Sequence, residues 1–193
     1  MTDYFVMAPD PSPEFCFVAG PRDELPHPHY PVDGISLGTT IYSYEFDMDA
    51  DLPGTVVPDF IDNASAYPMV SAALKAFLEA RSNSRIEFMP FKLRDHEGKL
   101  VDDELYIANV IGALDWVDRS ATQGREDPVN EGRYMKITRL VFDDSLIDPA
   151  VDLFRLAIRP KYLVVRDDLK DALEDGGFRG LAFHRVGDKV KLR

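Results

Sequence analysis

The sequence lacks the features that mark membrane, secreted and disulfide-stabilised proteins. It contains one cysteine, so an intramolecular disulfide is impossible, and we expect Cys16, inside the apolar run 15–18, to be a buried, unreactive thiol. No stretch approaches the roughly 18 apolar residues that a membrane-spanning helix needs. The first residues carry no positive charge and too short an apolar stretch for a signal peptide. We therefore expect a cytoplasmic protein that makes no membrane contact.

Recognisable catalytic motifs are also absent once their surroundings are considered. The run from Gly34 to Gly38 matches the G-x-S-x-G nucleophile motif, which needs a strand before the serine and a helix after it. Here a Pro-rich loop precedes Ser36 and a strand-like segment follows it, so a simple turn is favoured. An enzyme of unknown reaction stays open as an alternative, because carboxylates are abundant and many active sites leave no local motif.

Patterns that suggest metal binding have simpler explanations. Asp47, Asp49 and Asp51 are spaced like the start of a calcium loop, but Leu52 and Pro58 occupy the places that require glycine and glutamate. The histidines are expected to face solvent and to bind no metal: His27, His29, His96 and His184. We therefore predict no catalytic, cofactor-binding or metal-binding residue.

Basic residues are scarce in the first part of the chain. Residues 1–80 hold thirteen acidic residues against Arg22 and Lys75, a balance of −11, whereas the rest of the chain has 21 acidic and 20 basic residues, a balance of −1. The formal net charge of −12 disfavours nucleic acid as a partner and favours a basic protein, because a negative field accelerates its approach. The alternative is ordinary acidity that keeps a protein soluble.

Length and composition predict an α+β fold with few helices. A chain of 193 residues that is 45% hydrophobic can bury a core, and its 14 prolines and 12 glycines imply many turns. We expect a mixed or antiparallel sheet in which a β-rich, acidic N-terminal segment, 1–58, packs on an α+β region, 59–193, as one compact unit. Long loops are predicted at 20–38 and 118–133. Strands are predicted at 4–7, 15–18, 86–91, 105–111, 137–142, 153–158 and 181–183.

The clearest pattern is a strict alternation of apolar and polar residues, which predicts a half-buried strand. Its apolar face holds Tyr42, Tyr44, Phe46 and Met48, and its polar face holds Ser43, Glu45, Asp47 and Asp49. We predict that Glu45, Asp47 and Asp49, with Asp51 just beyond, form an acidic surface that contacts a partner protein. The alternative is that this row merely solubilises an exposed strand or discourages edge pairing.

Two helical segments look like copies of each other. The first follows Ser71, a plausible N-cap, and the second covers roughly 167–175 before Gly176 and Gly177. A shift of 95 residues superposes several apolar and charged positions of the two helices and of the strands after them: Val70 on Val165, Leu74 on Leu169, Lys75 on Lys170, Leu78 on Leu173, Glu79 on Glu174, Ile86 on Leu181 and Phe88 on Phe183. This match predicts a turn–helix–strand unit that occurs twice, with each helix covering a sheet. The alternative is a chance match of apolar positions at helical spacing.

Residues between positions 59 and 183 also carry a family likeness. They are Val70, Ser71, Leu74, Leu78, 86–90, 105–107, Asn109, Val110, Leu114, Asp115, Asp118, Leu153–Leu156, 163–165, Leu169, Leu173 and 176–183. In these positions the chain resembles a bacterial immunity-protein family, of myxococcal type, whose members are encoded beside polymorphic toxins. The sequence departs from the family at Arg166, where a small hydroxyl cap is usual, which leaves Asp167 as the alternative cap.

The resemblance implies a protein that binds and neutralises a cognate toxin, which could be a basic nuclease, by protein–protein contact. It implies no catalytic residue and no cofactor. The alternative is a protein-interaction or scaffold module of a secretion system, which would present an exposed apolar patch or form an obligate oligomer.

Overall fold

The fold is α+β and consists mainly of strands. The computed structural model describes residues 2–38 and 44–192. The elements in chain order are β1 (Tyr4–Pro9), β2 (Phe17–Pro21), α1 (Tyr30–Asp33), β3 (Tyr44–Met48), β4 (Phe60–Asn63), β5 (Met69–Ser71), α2 (Ala72–Arg81), β6 (Ile86–Arg94), β7 (Leu105–Val110), β8 (Ala113–Leu114), β9 (Gln123–Glu126), β10 (Tyr134–Arg139), β11 (Leu153–Leu156), β12 (Leu163–Arg166), α3 (Asp167–Asp175), β13 (Leu181–Arg185) and β14 (Lys189–Leu192).

The strands form three sheets, and the two larger ones are mixed. Six strands close into a barrel in the order β2-β3-β6-β7-β5-β4, and five form an open sheet in the order β13-β1-β12-β11-β8. A smaller antiparallel sheet has the order β14-β10-β9. The expected α+β class with a mixed sheet and few helices is therefore confirmed.

The hydrophobic core has three parts. One fills the barrel, where Tyr44, Phe46 and Met48 of β3 point inward as the alternation predicts. A second lies between the open sheet and the β10 region, around Trp116 and Phe154. The third is shared, since both α2 and α3 pack their leucines into it together with residues of both large sheets. The two sheets are thus joined through the helices that cover them.

The predicted duplicated unit is present and is more complete than the sequence showed. In the first copy α2 connects β5 to β6, and these two strands lie on either side of an antiparallel strand, β7, so that Ile107 pairs with both Met69 and Met89. In the second copy α3 connects β12 to β13, and these two strands lie on either side of β1, so that Val6 pairs with both Val164 and His184. The shift of 95 residues takes Met69 to Val164 and Met89 to His184, so the two copies share one register.

The duplication extends to the strands on the other side of each helix unit. The antiparallel pair β4–β5 matches the pair β11–β12, and the parallel pair β2–β4 matches the pair β8–β11. The two repeats therefore run from β1 to β6 and from β7 to β13. Each repeat places its first strand in the other repeat's sheet, because β1 lies between β12 and β13 and β7 lies between β5 and β6.

Two aspartates tie the repeats together in a reciprocal way. Asp152, just before β11, accepts hydrogen bonds from the Asn83 backbone N–H at 2.8 Å and from the Ser82 hydroxyl at 3.0 Å, both at the end of α2. Asp59, just before β4, accepts one from the Arg179 N–H at 2.9 Å, beyond the end of α3. Each aspartate thus satisfies backbone donors at the helix end of the other repeat.

Several sequence predictions need correction. The predicted loop 20–38 contains the helix α1, and the predicted loop 118–133 contains the strand β9, which has no buried residue and forms only because its backbone pairs with β10. The predicted strand 15–18 lies two residues further on, at Phe17–Pro21.

Other predictions are confirmed or remain predictions. Ser71 caps α2, since its hydroxyl accepts the Leu74 N–H at 3.1 Å, and burial raises the pKa of the Cys16 thiol to about 11. Tyr42 and Ser43 lie outside the described residues. A division of the chain at residue 58 stays a prediction, and residues 1–58 supply strands to both large sheets.

Candidate functional site

The acidic row of β3 lies on the outside of the barrel, but two of its carboxylates have cationic partners. The Asp47 carboxylate accepts a hydrogen bond from the Arg22 guanidinium at 3.0 Å, and Glu45 forms an ion pair with Arg94. The Arg94 guanidinium lowers the pKa of Glu45 below its ordinary value. Because β3 pairs in parallel with β6, Glu45 lies beside Lys92 and Asp47 beside Arg94. This part of the row is therefore close to neutral.

The carboxylates beyond β3 have a different setting. Asp49 accepts the Asp51 backbone N–H at 2.9 Å, and Asp51 is exposed. Among the described residues, neither carboxylate forms an ion pair. Of the four predicted contact residues, Asp49 and Asp51 therefore offer the negative charge that a basic partner would meet.

The charge imbalance along the sequence is much reduced in space. Four ion pairs join an acidic residue of the first 80 positions to an arginine further along the chain: Asp3–Arg185, Glu14–Arg179, Asp33–Arg133 and Glu45–Arg94. The arginines of the C-terminal part thus neutralise carboxylates of the N-terminal part.

The G-x-S-x-G segment is an anchored loop. The Ser36 hydroxyl bonds to the Glu87 carboxylate, which also accepts the Leu37 N–H at 2.9 Å, and the Asn109 amide donates to the Ile35 carbonyl at 2.9 Å. No histidine takes part in these contacts in the described part of the chain. The Ser36 hydroxyl therefore serves to fix this loop to β6.

The helix α1, just before this loop, is held by Arg155, a residue whose role was not predicted from the sequence. Its guanidinium is fully buried and donates to four backbone carbonyls, those of Pro31, Val32, Val110 and Pro160, at 2.6 to 2.9 Å. Burial lowers the pKa of Arg155 to about 10. A charged residue inside the apolar run Leu153–Leu156 was the available signal, because a buried cation needs this many partners.

An open cleft of about 360 Å³ lies where the two large sheets approach each other. Its walls come from the end of β1, from β4, from the turn 64–68 and from residues 161–163. Asp62 and Lys161 line this cleft without forming an ion pair in the described structure, and the surrounding protein shifts the pKa of both groups. Desolvation raises the pKa of the Asp62 carboxyl, which is nonetheless still exposed, and lowers the pKa of the Lys161 amine.

The histidines give no metal site in the part of the chain that the structure describes. His27, His29 and His96 are exposed as expected, whereas His184 on β13 is half-buried. Within residues 2–38 and 44–192, no group of three or more histidine, cysteine or carboxylate side chains is placed to hold a metal ion. None of the described helices is both long and apolar enough to cross a membrane.

The family assignment comes from a comparison of the chain with models of known protein families. The model described as "Immunity protein family (Imm11)" matches residues 23–188, which is most of the chain. The chain belongs to this immunity protein family. A search of curated proteins found no match. The expected resemblance is thereby confirmed, and membership supports an immunity function and the binding of a toxin.

The matched region of this immunity-family chain includes most of the features described above. It covers the acidic row 45–51, the anchored loop from α1 to Gly38, Arg155, and both Asp62 and Lys161 of the cleft. Strand β1, which completes the second sheet, lies before the matched region.

Proposed function

We propose that this protein neutralises a cognate toxin by direct protein–protein contact in the cytoplasm of the cell that makes the toxin. The observation that carries the proposal is the match to the immunity family over residues 23–188. The arrangement of the described side chains supports a binding role, because the polar groups that look catalytic in the sequence serve to hold loops.

We further propose that the acidic surface Glu45, Asp47, Asp49 and Asp51 contributes to toxin contact, and that a basic toxin such as a nuclease is the partner that this charge suits. Exposed charges at an interface mainly raise the association rate, and salt screens that effect. Glu45 and Asp47 are already paired with arginines, so Asp49 and Asp51 should contribute most of the attraction.

Co-expression tests the function itself. The product of the neighbouring gene is expressed in a bacterial host with and without this protein, and growth is measured. We expect arrest without the protein and growth with it. Arrest in both cultures, with both proteins soluble, would contradict the proposed function.

Binding kinetics test the acidic surface. The double variant Asp49→Asn, Asp51→Asn should lower the association rate several-fold at low salt and much less at high salt, because screening removes the attraction. The pair Glu45→Gln, Asp47→Asn should have a smaller effect. A matched control changes Asp144 and Asp175, two exposed aspartates outside this surface, to asparagine. Equal association rates for all three variants and wild type would remove the acidic surface from the interface.

A further inference from the structure

The internal duplication gives the open cleft a counterpart elsewhere in the molecule. The shift between β1 and β7 takes Pro9 to Val110, and the shift between β4 and β11 takes Asp62 to Arg155. The shift of 95 residues places Tyr67 on Tyr162. Pro9, Asp62 and Tyr162 line the open cleft. Val110 and Arg155 therefore mark the equivalent place in the other repeat, and Tyr67, which also lines the open cleft, reaches that place through its hydroxyl.

That equivalent place is filled by the chain itself. The segment 28–34, which contains α1, is held there by four hydrogen bonds to its backbone carbonyls, one of which the Gly112 N–H donates to Gly34 at 2.9 Å. Tyr67 donates to the Pro28 carbonyl at 2.7 Å, and Arg155 donates to those of Pro31 and Val32. The segment fits closely, since a Cβ atom on Gly34 would lie 2.7 Å from the Val110 carbonyl oxygen. A short turn of polypeptide is thus the shape that this kind of cleft accepts.

We infer that the open cleft is a docking site for a short turn of the toxin that carries a lysine or arginine. This inference rests on the proposed function and names the part of the surface that recognises the partner. In the filled cleft Arg155, a donor, meets backbone carbonyls, whereas Asp62 stands at the matching position and can only accept hydrogen bonds when ionised. The open cleft therefore selects a turn that presents donors.

Lys161 forms a second charged wall of the cleft, which the ligand must also match. Lys161 offers a cation on the side of the cleft formed by residues 161–163, so a backbone carbonyl or a carboxylate of the turn would bind there. Asp62 and Lys161 form no ion pair in the described structure, although the charge of each partly offsets the pKa shift of the other. A basic side chain placed directly against Asp62 would supply a closer counter-charge, and it matches the acidic character of the whole protein.

Four variants test the inference against the purified product of the neighbouring gene. Asp62→Lys reverses the charge of the cleft, and Ala64→Trp fills it from an exposed position on its wall. Their matched controls are Asp144→Lys and Ala76→Trp, which make the same changes at exposed positions outside the cleft. We expect both cleft variants to weaken binding at least tenfold and both controls to stay within twofold of wild type, with unchanged melting temperatures.

The outcomes separate the inference from the proposed function. If wild type neutralises the toxin and both cleft variants bind within twofold of it, the inference is wrong and the function stands. If wild type neither binds nor neutralises the toxin, the function fails and the inference with it. Should Asp62→Lys not fold, Asp62→Asn replaces it, with the same expected direction and a loss that shrinks at high salt.

Discussion

The two repeats share a scaffold and differ in what is inserted into it. Both have the same order of five strands and a helix in the same place, yet the segment between β2 and β4 supplies α1 and β3, whereas the segment between β8 and β11 supplies the hairpin β9–β10. As a result, β3 closes the first sheet into a barrel while the second sheet stays open, and one cleft is filled while its counterpart is vacant. The insertions, rather than the duplicated scaffold, determine which surfaces are left for a partner.

Among equivalent positions of the two repeats, Arg155 and Asp62 should differ most in how much an alanine substitution lowers the free energy of unfolding. Arg155→Ala removes four charged hydrogen bonds and leaves buried carbonyls without donors, so we expect a loss of about 3–5 kcal/mol in the free energy of unfolding. Asp62→Ala, at an exposed position, should change it by about 0.5 kcal/mol or less. Urea unfolding measures both, and similar losses would show that the two clefts are held in the same way.

Asp152 and Asp59, the two aspartates that connect the repeats, should differ less in their contribution to the free energy of unfolding. Asp152 is 2% exposed and accepts bonds from three residues after α2, so Asp152→Ala should cost about 2–3 kcal/mol. Asp59 is more accessible, and Asp59→Ala should cost about 1–2 kcal/mol. Thermal unfolding of both variants would test this order, and a larger loss at Asp59 would contradict it.

The two helix N-termini provide a smaller contrast. Ser71 accepts the Leu74 N–H and donates to Asp59 at 2.6 Å, so Ser71→Ala should cost about 1–2 kcal/mol. Arg166 occupies the matching position with no capping bond of its own, although the Asp167 carboxylate accepts the Asp168 N–H. Arg166→Ala removes an ion pair with the exposed Asp168 and a hydrogen bond to the Pro149 carbonyl but no cap, so it should cost about 1 kcal/mol, less than Ser71→Ala. Equal losses in urea unfolding would mean that the cap contributes little to α2.

The smallest effects should be similar in the two repeats. Lys75 and Lys170 each pair with a glutamate one turn later, at 2.8 and 2.6 Å. Each ammonium also lies 5.2 Å from the centre of an aromatic ring on the strand that its helix unit flanks, Tyr106 of β7 and Phe5 of β1. Glu79→Gln should cost about 0.3–0.5 kcal/mol, less in high salt, and Glu174→Gln no more than that, because Lys170 keeps Asp171 as a partner at 3.1 Å. A larger loss at Glu174 than at Glu79 in urea unfolding would contradict this order.

Local patterns in the sequence were enough to find the duplicated helix units and the inward face of β3. The pattern of each helix unit and of β3 lies within about 20 residues, where periodicity reports directly on burial, and the duplication appears when the two helical patterns are compared with each other. The exchange of β1 and β7 could not be found in this way, because β1 pairs with strands more than 150 residues away. Strand β9 was missed for a related reason, since its four residues are all exposed and their pattern carries no signal of the backbone pairing with β10.

The candidate site shows the same division. The row from Glu45 to Asp51 was visible as a charge pattern, but the arginines that neutralise part of it come from other elements, and nothing near Glu45 in the sequence indicates Arg94. The open cleft was invisible in the sequence, because its walls come from three segments, 7–9, 60–68 and 161–163, that lie far apart along the chain. Its interpretation needed the filled counterpart, which only the three-dimensional arrangement supplies.

The reciprocal placement of β1 and β7 has a consequence for the integrity of the molecule. A protease cut in the exposed turn around Gly98, between β6 and β7, would divide the chain into two fragments. Each fragment would hold one strand that lies between two strands of the other fragment's sheet. Separating them would require breaking both sheets at once, so a nicked chain would persist as a tightly associated pair of fragments. Conversely, β1 precedes its partners β12 and β13 by more than 150 residues, so the open sheet cannot form until both repeats have been synthesised.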